Sequence, residues 1–389
     1  MNILFVGHDA SRTGAPILLL HLIQWIKENT TLNCQLLLGR DGELRSEFEK
    51  HVETTIIDPV VLRKEKPGFI RKLRGATNAQ RLNERITRYN PDLIYCNTLA
   101  VSPLYEFFHV NDVPILLHVH ELNLFLEGFP DRESVPILVN KADRMIVVSN
   151  AVNRFVKQTF DIPDEKIELI HGYIPSEILS LKNRQSHENS ITKDELGIPQ
   201  DHQVLVCCGT LDWRKGADLA VQLLANLKRS ERKNVHLVWV GGDHDDVVAK
   251  NLKFEARQAG VEKNLHLVPS TNMPLKYLSI GELFVLLSRE DPYPLVVLEA
   301  AALGKPIVCF EGSGGTPELI GDDAGFTVPF LDISQLSLKI CEILDSPERM
   351  NSLGKNARLK AEQHDINTIV PKIINLITGT IETYQKLKV

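Results

Sequence analysis

The sequence lacks the features that mark several large classes of protein. Its formal net charge is −6 over 389 residues, so it has no basic excess of the kind that a general nucleic-acid binder uses, and we expect no nucleic-acid partner. No run approaches the roughly 18 uninterrupted apolar residues that indicate a transmembrane helix. Residues 1–7 contain no charged leader, so we expect no signal peptide. These absences favour a cytoplasmic protein, with the inner face of the membrane as an alternative position.

Two motif classes are also missing. The six cysteines show no Cys-x-x-Cys spacing and lie mostly inside apolar runs, which predicts buried, reduced thiols. They are Cys34, Cys96, Cys207, Cys208, Cys309 and Cys341. The dinucleotide fingerprint Gly-x-Gly-x-x-Gly is absent, which argues against a dehydrogenase.

The chain does have two sets of short apolar runs that alternate with helical patterns, which predicts two parallel, doubly wound sheets. The predicted strands are 3–6, 35–38, 54–57, 93–95, 114–117 and 144–148 in the first half, and 204–208, 235–240, 265–268, 283–287 and 306–310 in the second. A polar segment without periodicity separates the sets. We therefore predict domains at 1–175 and 201–365, a linker region at 176–200 and a terminal helix at 366–389.

The most informative segment is 288–308, which holds two carboxylates, Asp291 and Glu299, around a Pro-Tyr-Pro turn. Residues 284–287 before the turn read as a buried strand and 295–303 after it as a helix. The free amides of Leu295 and Val296 would favour a phosphate, while the carboxylates can accept hydrogen bonds from sugar hydroxyls. This combination suits a nucleotide sugar.

The segment resembles the signature of family 4 retaining glycosyltransferases, which pair two Glu residues across seven intervening positions before an Ala-rich helix and a Gly-Lys-Pro strand. Asp291 stands at the first Glu position, which keeps the acceptor chemistry but leaves the sugar preference open. The resemblance implies a GT-B fold, with two Rossmann-like domains facing a central cleft. It also implies that the first domain handles the acceptor, that the second binds the donor, and that the terminal helix crosses back to the first domain.

Two glycine-containing loops open helices after strands and offer amides or cations to a diphosphate. The first, 7–16, carries Gly14 and Ala15 at the helix start and Arg12 just before it, and we assign the two amides to donor binding and Arg12 to the acceptor or cleft loop. The second, Gly209-Thr210-Leu211-Asp212-Trp213-Arg214-Lys215-Gly216, resembles the family loop whose Arg and Lys neutralise the donor. Thr210 occupies the family Arg position, and Arg214 can supply the lost charge.

A His-x-His-Glu motif, residues 118–121, follows the predicted strand 114–117. In the family a His here lies beside the donor sugar, so we assign His120 to the site and Glu121 to the acceptor or cleft loop. His118 is interpreted as a structural residue. Two histidines at this spacing can also ligate a metal, but the sequence offers no third ligand nearby, and we expect neither a metal nor a cofactor.

Two further segments have alternative interpretations. The Gly-rich loop 311–318 contains Gly314 and Gly315, which the resemblance places at the cleft and which alternatively form a plain turn. Residues 243–246 contain an Asp-x-Asp, the metal motif of the other large glycosyltransferase fold, which we interpret as an acidic helix start.

Basic residues cluster in the first half of the chain between positions 63 and 88. They are Arg63, Lys64, Lys66, Arg71, Lys72, Arg74, Arg81, Arg85 and Arg88. The stretch is interpreted either as a solvated helix face or as a peripheral contact with anionic lipid or a phosphorylated acceptor.

With these patterns, the resemblance implies a retaining, metal-independent hexosyltransferase that uses a UDP- or GDP-sugar and a hydroxyl acceptor (a glycan, a lipid-linked acceptor or a protein) in polysaccharide, glycolipid or glycoprotein assembly. We assign catalytic roles to His120, Asp291, Arg214 and Lys215. The donor-binding residues would be Gly14, Ala15, Gly209, Arg214, Lys215, Asp291, Leu295, Val296 and Glu299. The alternatives are a nucleotide-sugar epimerase or a non-catalytic subunit that binds a sugar nucleotide.

Overall fold

The computed structural model describes residues 1–64, 78–108, 112–181, 192–242 and 246–387, apart from the side chains of residues 63 and 64. It divides into two compact units, Met1–Gly172 with Asn367–Val389 and Tyr173–Ile366, which we call the first and second domains. Residues just after Gly172 group with the second domain because Ile174 pairs with Asp365 in an isolated bridge. The sequence placed this division at 175 and treated 176–200 as a linker.

The first domain contains a seven-stranded parallel sheet in the order β3-β2-β1-β4-β5-β6-β7. Its strands are β1 (Asn2–Gly7), β2 (Asn33–Leu38), β3 (Glu53–Ile56), β4 (Leu93–Asn97), β5 (Ile115–Val119), β6 (Arg144–Val147) and β7 (Ile167–Leu169). Its helices are α1 (Gly14–Asn29), α2 (Arg45–Glu49), α3 (Pro59–Lys64), α4 (Asn78–Tyr89), α5 (Ser102–Tyr105), α6 (Asn123–Gly128), α7 (Val135–Lys141) and α8 (Asn150–Phe160), with α17 (Ile366–Lys386) from the end of the chain.

The second domain contains a six-stranded parallel sheet in the order β10-β9-β8-β11-β12-β13. Its strands are β8 (Gln203–Cys208), β9 (Val235–Val240), β10 (Leu265–Val268), β11 (Leu283–Leu286), β12 (Ile307–Phe310) and β13 (Gly325–Val328). Its helices are α9 (Ser176–Ser180), α10 (Ala217–Arg229), α11 (Val247–Gln258), α12 (Pro274–Ile280), α13 (Leu295–Ala302), α14 (Thr316–Ile320), α15 (Ile333–Leu344) and α16 (Pro347–Glu362).

Strands that are apolar on both faces form the interior of both sheets, as expected where helices cover each side. Every residue of β4, β5, β9, β11 and β12 is buried. The sequence predicted the edge strands β3 and β10 but not β7 and β13, which form the opposite edges of the two sheets. In β7 and β13, exposed or partly exposed residues such as Glu168 and Thr327 interrupt the apolar run that identifies a strand.

The thiol prediction is confirmed in part. All six cysteines are free, and Cys96, Cys207 and Cys309 are buried, whereas Cys34, Cys208 and Cys341 are partly exposed. Among the described residues no helix is both long and apolar enough to cross a membrane.

Three histidines form a hydrogen-bonded array at the amino ends of adjacent strands in the second domain. His202 Nδ1 lies 2.9 Å from His236 Nε2, and His236 Nδ1 lies 2.9 Å from His266 Nε2. Burial, with His266, His202 and Lys193 nearby, lowers the pKa of the central His236 to about 4. Each contact holds one hydrogen between two nitrogens, so a protonated His236 would donate to both neighbours and would require each of them to present an acceptor nitrogen.

We expect the second domain to lose stability as the pH falls. His236 takes up a proton near pH 6.5 when the chain is unfolded but only near pH 4 when it is folded. Between these values the unfolded chain binds more protons, so the free energy of unfolding drops. The full pKa difference corresponds to roughly 3 kcal/mol, and solvent screening of the ring reduces the expected drop to about 1–2 kcal/mol. Urea unfolding across this range should show a shallower pH dependence in His236→Gln. His51→Gln, in the other domain, is the control and should retain the slope; an unchanged slope in His236→Gln would contradict the assignment.

Candidate functional site

Three loops meet at one edge of the second domain's sheet because β8, β11 and β12 are parallel neighbours whose carboxyl ends coincide. These loops are residues 209–216 after β8, 287–294 after β11 and 311–315 after β12. Ligands of open α/β sheets bind beyond this edge. The sheet order therefore gathers the second domain's predicted donor residues in one place.

Lys215 and Asp291 form an ion pair at the centre of this edge. The Nζ of Lys215 lies 2.5 Å from Oδ2 of Asp291, and the two side chains are 15% and 7% exposed. The Ser288 hydroxyl donates to the same carboxylate oxygen at 3.2 Å. Gly209 makes room for the pair, since a Cβ there would lie 3.3 Å from the Cδ of Lys215. The sequence predicted that both residues bind donor but did not predict that they bind each other.

The 209–216 loop is fixed by its own polar residues. Asp212 accepts a hydrogen bond from the amide of Lys215 at 2.7 Å and one from the Thr210 hydroxyl. The Nη1 of Arg214 donates to the carbonyl of Glu290 at 2.9 Å. This contact uses one of the five N–H groups of the guanidinium, so Arg214 keeps further donors for an anion.

The Gly-rich loop after β12 is joined to Asp291 through backbone contacts. The amide of Asp291 donates to the carbonyl of Ser313 at 2.7 Å, and the amide of Gly315 donates to the carbonyl of Asp291 at 3.2 Å. Gly314 has a φ of +125°, and a Cβ added to it would lie 1.8 Å from the Asp291 carbonyl oxygen. Glycine is therefore required at position 314 by both the backbone conformation and the space.

Helix α13 begins at Leu295, as predicted, directly after Pro294. The first amides of a helix have no acceptor within it, so those of Leu295 and Val296 are available to a ligand. Glu299 lies about one turn further on. Burial raises the pKa of its carboxyl to about 7. Among the residues that the structure describes, none donates a hydrogen bond to this carboxyl.

The sequence did not single out Arg289, which organises the outer side of the same loops. Its guanidinium donates to both carboxylate oxygens of Asp218, at 2.8 and 2.7 Å, and stacks 4.5 Å from the ring centre of Trp213. Arg289 is thereby occupied by protein groups, and Trp213 remains 61% exposed. The sequence around Arg289 gave no indication that this arginine pairs with another protein side chain while Arg214 keeps donors for an anion.

In the first domain the predicted helix start is in place, with α1 beginning at Gly14. A Cβ added to Gly14 would meet nothing within 4 Å, so packing inside the domain does not explain the glycine. Ala15 follows in the first turn of the helix. Arg12 is already engaged, because its Nη2 contacts Glu47 at 2.5 Å and its Nε lies 3.8 Å from Glu43.

The His118 and His120 rings lie against each other at the end of β5, with ring centres 4.0 Å apart and ring planes tilted by 39°. Nδ1 of His118 contacts the Tyr95 hydroxyl at 2.6 Å, and burial lowers the pKa of His118 well below its usual value. Burial, with His8 nearby, lowers the pKa of His120 to about 3. Nε2 of His120 lies 3.2 Å from Oδ1 of Asn97, a residue that the sequence did not single out.

Glu121 is buried, and its carboxylate binds backbone amides rather than facing an open surface. Its carboxylate accepts the amides of Leu99 at 3.1 Å and His120 at 2.8 Å. Burial raises its pKa to about 7, while hydrogen bonds from the Thr98 hydroxyl and nearby amides act in the opposite direction. Thr98 has a φ of +107°, an uncommon conformation for a β-branched residue. Glu121 therefore stabilises a strained turn beside His120.

Two predicted features lie wholly or partly outside the described residues. Asp243 and Asp245 of the acidic motif are outside them, as are residues 65–77 of the basic stretch. Within the described ranges, Arg85 pairs with Glu53 at 2.5 Å. The same ranges contain no group of three or more His, Cys, Asp or Glu side chains arranged to hold a metal ion.

Comparison with known families gives a match in each domain. Residues 36–177 match the model for Glycosyltransferase Family 4, and residues 188–360 match the model for glycosyl transferases group 1. Together the two matches cover most of the chain.

Curated relatives include the lipopolysaccharide glucosyltransferase WaaG of Escherichia coli, which is 26% identical over 242 residues, or 61% of this chain and 62% of that protein. A D-inositol 3-phosphate glycosyltransferase of Thermobispora bispora is 23% identical over 287 residues, or 69% of this chain and 66% of that protein. The chain matches about half to three fifths of the length of the first relatives.

Solved structures are similar over nearly the whole chain. HepE of Anabaena in complex with UDP-glucose has a TM-score of 0.79 at 20% identity, covering 97% of this chain and 100% of that one. Sucrose-phosphate synthase of Thermosynechococcus elongatus has a TM-score of 0.77 at 17% identity, covering 98% and 100%.

Proposed function

The chain belongs to the GT-B glycosyltransferases that the group 1 and family 4 models describe, and from this premise we propose that it transfers a hexosyl unit from a nucleotide diphosphate sugar to a hydroxyl acceptor with retention of configuration. A UDP-sugar is the favoured donor, since the structurally similar HepE binds UDP-glucose. The setting would be polysaccharide, glycolipid or glycoprotein assembly, because the relatives include a lipopolysaccharide glucosyltransferase.

One observation carries the proposal: cations, free helix amides and an unpartnered carboxyl meet at one sheet edge. Lys215 and Arg214 supply positive charge, α13 supplies amides, and Glu299 supplies a hydrogen-bond acceptor. A nucleotide sugar requires all three, since its diphosphate is anionic and its ribose and hexose carry hydroxyls.

Lys215 would stabilise the charge that develops on the departing diphosphate. Its ammonium has three N–H groups, and Asp291 uses one of them at 2.5 Å, which leaves two for phosphate oxygens. Asp291 thus fixes the ammonium in place before the donor arrives, and its other oxygen would hold a sugar hydroxyl. Charge stabilisation by groups already in position is often the largest contribution to catalysis.

The ribose hydroxyls would bind Glu299 in its ionised form, which gains acceptor capacity above pH 7 because burial has raised its pKa to about 7. In the proposed step the bond between the anomeric carbon and the phosphate oxygen breaks, and its electrons stay with the nucleoside diphosphate. The acceptor oxygen bonds to the same face of the anomeric carbon. Its proton passes to the departing phosphate, so no protein base is required.

In the first domain, we propose that His120 and the amides of Gly14 and Ala15 bind substrate. We also propose that no metal takes part, because Lys215 and Arg214 already provide the countercharge. Peripheral membrane contact through the basic stretch remains a proposal that rests on the sequence.

The donor can be identified by thermal unfolding of the full chain with UDP-, GDP- and ADP-sugars. A donor at 100 times its dissociation constant should add about 2.7 kcal/mol of stability. Glu299→Ala should weaken that donor about 10- to 100-fold, since it removes hydrogen bonds to a charged acceptor. Glu311→Gln, which removes an exposed carboxylate after β12, is the control and should bind normally. Stabilisation by no nucleotide sugar would contradict the proposal.

The reaction type needs a separate measurement. NMR of the anomeric proton should show that the product keeps the anomeric configuration of the donor. Activity should also persist in EDTA, since no metal is proposed to take part. Isomerisation of UDP-GlcNAc without an acceptor would instead indicate an epimerase. If transfer in a reconstituted pathway is unchanged by substitution of Lys215 or Glu299, the chain binds sugar nucleotides without catalysing transfer.

A further inference from the structure

Asn97 joins three loops of the first domain at the carboxyl edge of its sheet. It is the last residue of β4, pairs in register with His118 of β5, and is 2% exposed. Its side-chain amide contacts the start of α1, which follows β1, and the His120 ring, which follows β5. A buried amide at such a junction must satisfy both of its ends.

The contact with α1 decides which way this amide points. The carbonyl oxygen of Ala15 lies 3.0 Å from Nδ2 of Asn97. A carbonyl can only accept a hydrogen bond, so the NH₂ group of Asn97 must face Ala15 and its oxygen must face His120. The reversed amide would set two oxygens against each other.

The fixed amide in turn decides where the His120 ring carries its hydrogen. Oδ1 of Asn97 can only accept, and it lies 3.2 Å from Nε2 of His120, so Nε2 must carry a hydrogen. A neutral imidazole has one N–H, which leaves Nδ1 as a bare acceptor. No hydrogen bond to this Nδ1 is present among the residues that the structure describes.

Burial is the main reason that the His120 ring stays neutral, and His8 at the end of β1 acts in the same direction. The His118 ring lies against it from β5, with ring centres 4.0 Å apart, and burial lowers the pKa of His118 as well. The carboxylate of Glu121, the next residue in the chain, is directed to backbone amides, including that of His120 itself. These contacts agree with the low pKa of His120, about 3.

The position of Asn97 is held from its other side by the strained turn at Thr98. The Thr98 amide donates to the carbonyl of His118 at 2.8 Å, and Glu121 accepts the amide of Leu99. The turn therefore cannot move without breaking contacts to both β5 and Glu121. These backbone contacts therefore hold Asn97 in place at the end of β4.

We propose that Asn97 is a positioning residue that holds the His120 ring in its Nε2–H form and so presents Nδ1 as an acceptor for a hydroxyl group of the substrate. This assignment rests on the proposed function for its substrate. The ring state itself does not depend on that function. It selects for a ligand that donates a hydrogen bond at this point, such as a hexose hydroxyl, over one that offers only an acceptor.

The ring state can be read directly by long-range ¹H–¹⁵N NMR of histidine-labelled full chain, with the His120 signals assigned by their loss in His120→Gln. We expect a neutral ring with hydrogen on Nε2 in the unsubstituted protein and a mixture of the two neutral forms in Asn97→Ala. Hydrogen on Nδ1 in the unsubstituted protein, or an unchanged ring in Asn97→Ala, would overturn the proposal. No sugar substrate is needed, so this result is decided even if the chain proves not to transfer sugar.

A kinetic comparison separates positioning from loss of folding. Asn97→Ala should lower kcat/KM by about 10-fold, the effect of one lost hydrogen bond. Asn83→Ala is the matched control, since Asn83 also donates to backbone carbonyls, of Ala79 and Phe107 at 2.8 Å each, but belongs to α4. It should leave kcat/KM unchanged.

Asn97→Asp gives a more specific readout, because a carboxylate at this position stabilises a charged His120 ring. We expect the pKa of His120 to rise and kcat/KM to fall at acidic pH, where that of the unsubstituted protein does not. The reason is that Nδ1 of the protonated ring donates a hydrogen bond instead of accepting one. The same pH profile in Asn97→Asp and the unsubstituted protein would contradict the positioning role.

Discussion

Replacing Lys215 with Met is expected to lower kcat/KM for sugar transfer by about 100- to 1,000-fold, the size of effect seen when one preformed donor to a developing anion is removed. Arg214 remains in this variant, but its guanidinium is anchored at the Glu290 carbonyl and that of Arg289 at Asp218, so neither cation takes the place of the Lys215 ammonium beside Asp291. Steady-state kinetics with the donor found by thermal unfolding would measure the loss.

The same substitution leaves the Asp291 carboxylate buried without its cation, so part of the loss could reflect folding. Lys193→Met is the matched control. Lys193 pairs with Glu282 at 3.1 Å in the same domain, with side chains 16% and 23% exposed. Both variants should lose about 1–3 kcal/mol of stability, but only Lys215→Met should lose activity. Equal activities in the two variants would refute the role of Lys215.

A double substitution separates the two roles of the pair. Lys215→Met with Asp291→Asn removes both charges, which should restore much of the stability because no buried carboxylate is left unpaired. The activity should stay low, since the cation is still absent. Recovery of activity together with stability would show that Lys215 acts only on folding.

Replacing Gly314 with Ala is expected to destabilise the second domain by about 3–5 kcal/mol, the range of severe single substitutions. The new Cβ would lie 1.8 Å from the Asp291 carbonyl oxygen at a φ of +125°. Relief requires the Gly-rich loop to separate from Asp291, which would break the 2.7 Å and 3.2 Å backbone contacts between them. Donor binding should be lost with stability.

Gly312→Ala is the control for the backbone term alone. Gly312 also has a positive φ, +69°, but a Cβ there meets nothing within 4 Å. Its cost should be about 1–2 kcal/mol, that of one left-handed residue. Urea unfolding can be followed in a Trp25→Phe background, where the remaining tryptophans, Trp213 and Trp239, both report on the second domain. Similar costs for the two glycine variants would contradict the steric argument.

The predicted GT-B fold is confirmed. The fold could be predicted because each central strand is a short apolar run in the sequence. Of the edge strands in the two described sheets, β3 and β10 were predicted, whereas β7 and β13 were not, because exposed or partly exposed residues such as Glu168 and Thr327 interrupt their apolar runs. The turn and the helix start of residues 288–299 were also predicted from the sequence, because these features and both carboxylates lie close together in the chain.

The side-chain contacts of the site residues could not be predicted from the sequence. The assignment of Asp291 to a sugar stays a prediction, and nothing in the sequence indicated that its carboxylate also contacts Lys215, which lies 76 positions earlier. Glu121 was assigned to an acceptor or cleft loop, yet it holds the Thr98 turn. Asn97 gave one weak signal, a polar residue ending an apolar strand, and sequence reasoning did not use it.

The sequence by itself determined the local features: which runs become strands, which loops carry charge, and where α13 begins after Pro294. Local periodicity and turn chemistry act over a few residues, so they can be read from neighbours in the chain. Only the tertiary structure decided the pairings, because the sheet order places β11 beside β8 and β5 beside β4. That order brings Lys215 to Asp291 and Asn97 to His120, and no local pattern specifies it.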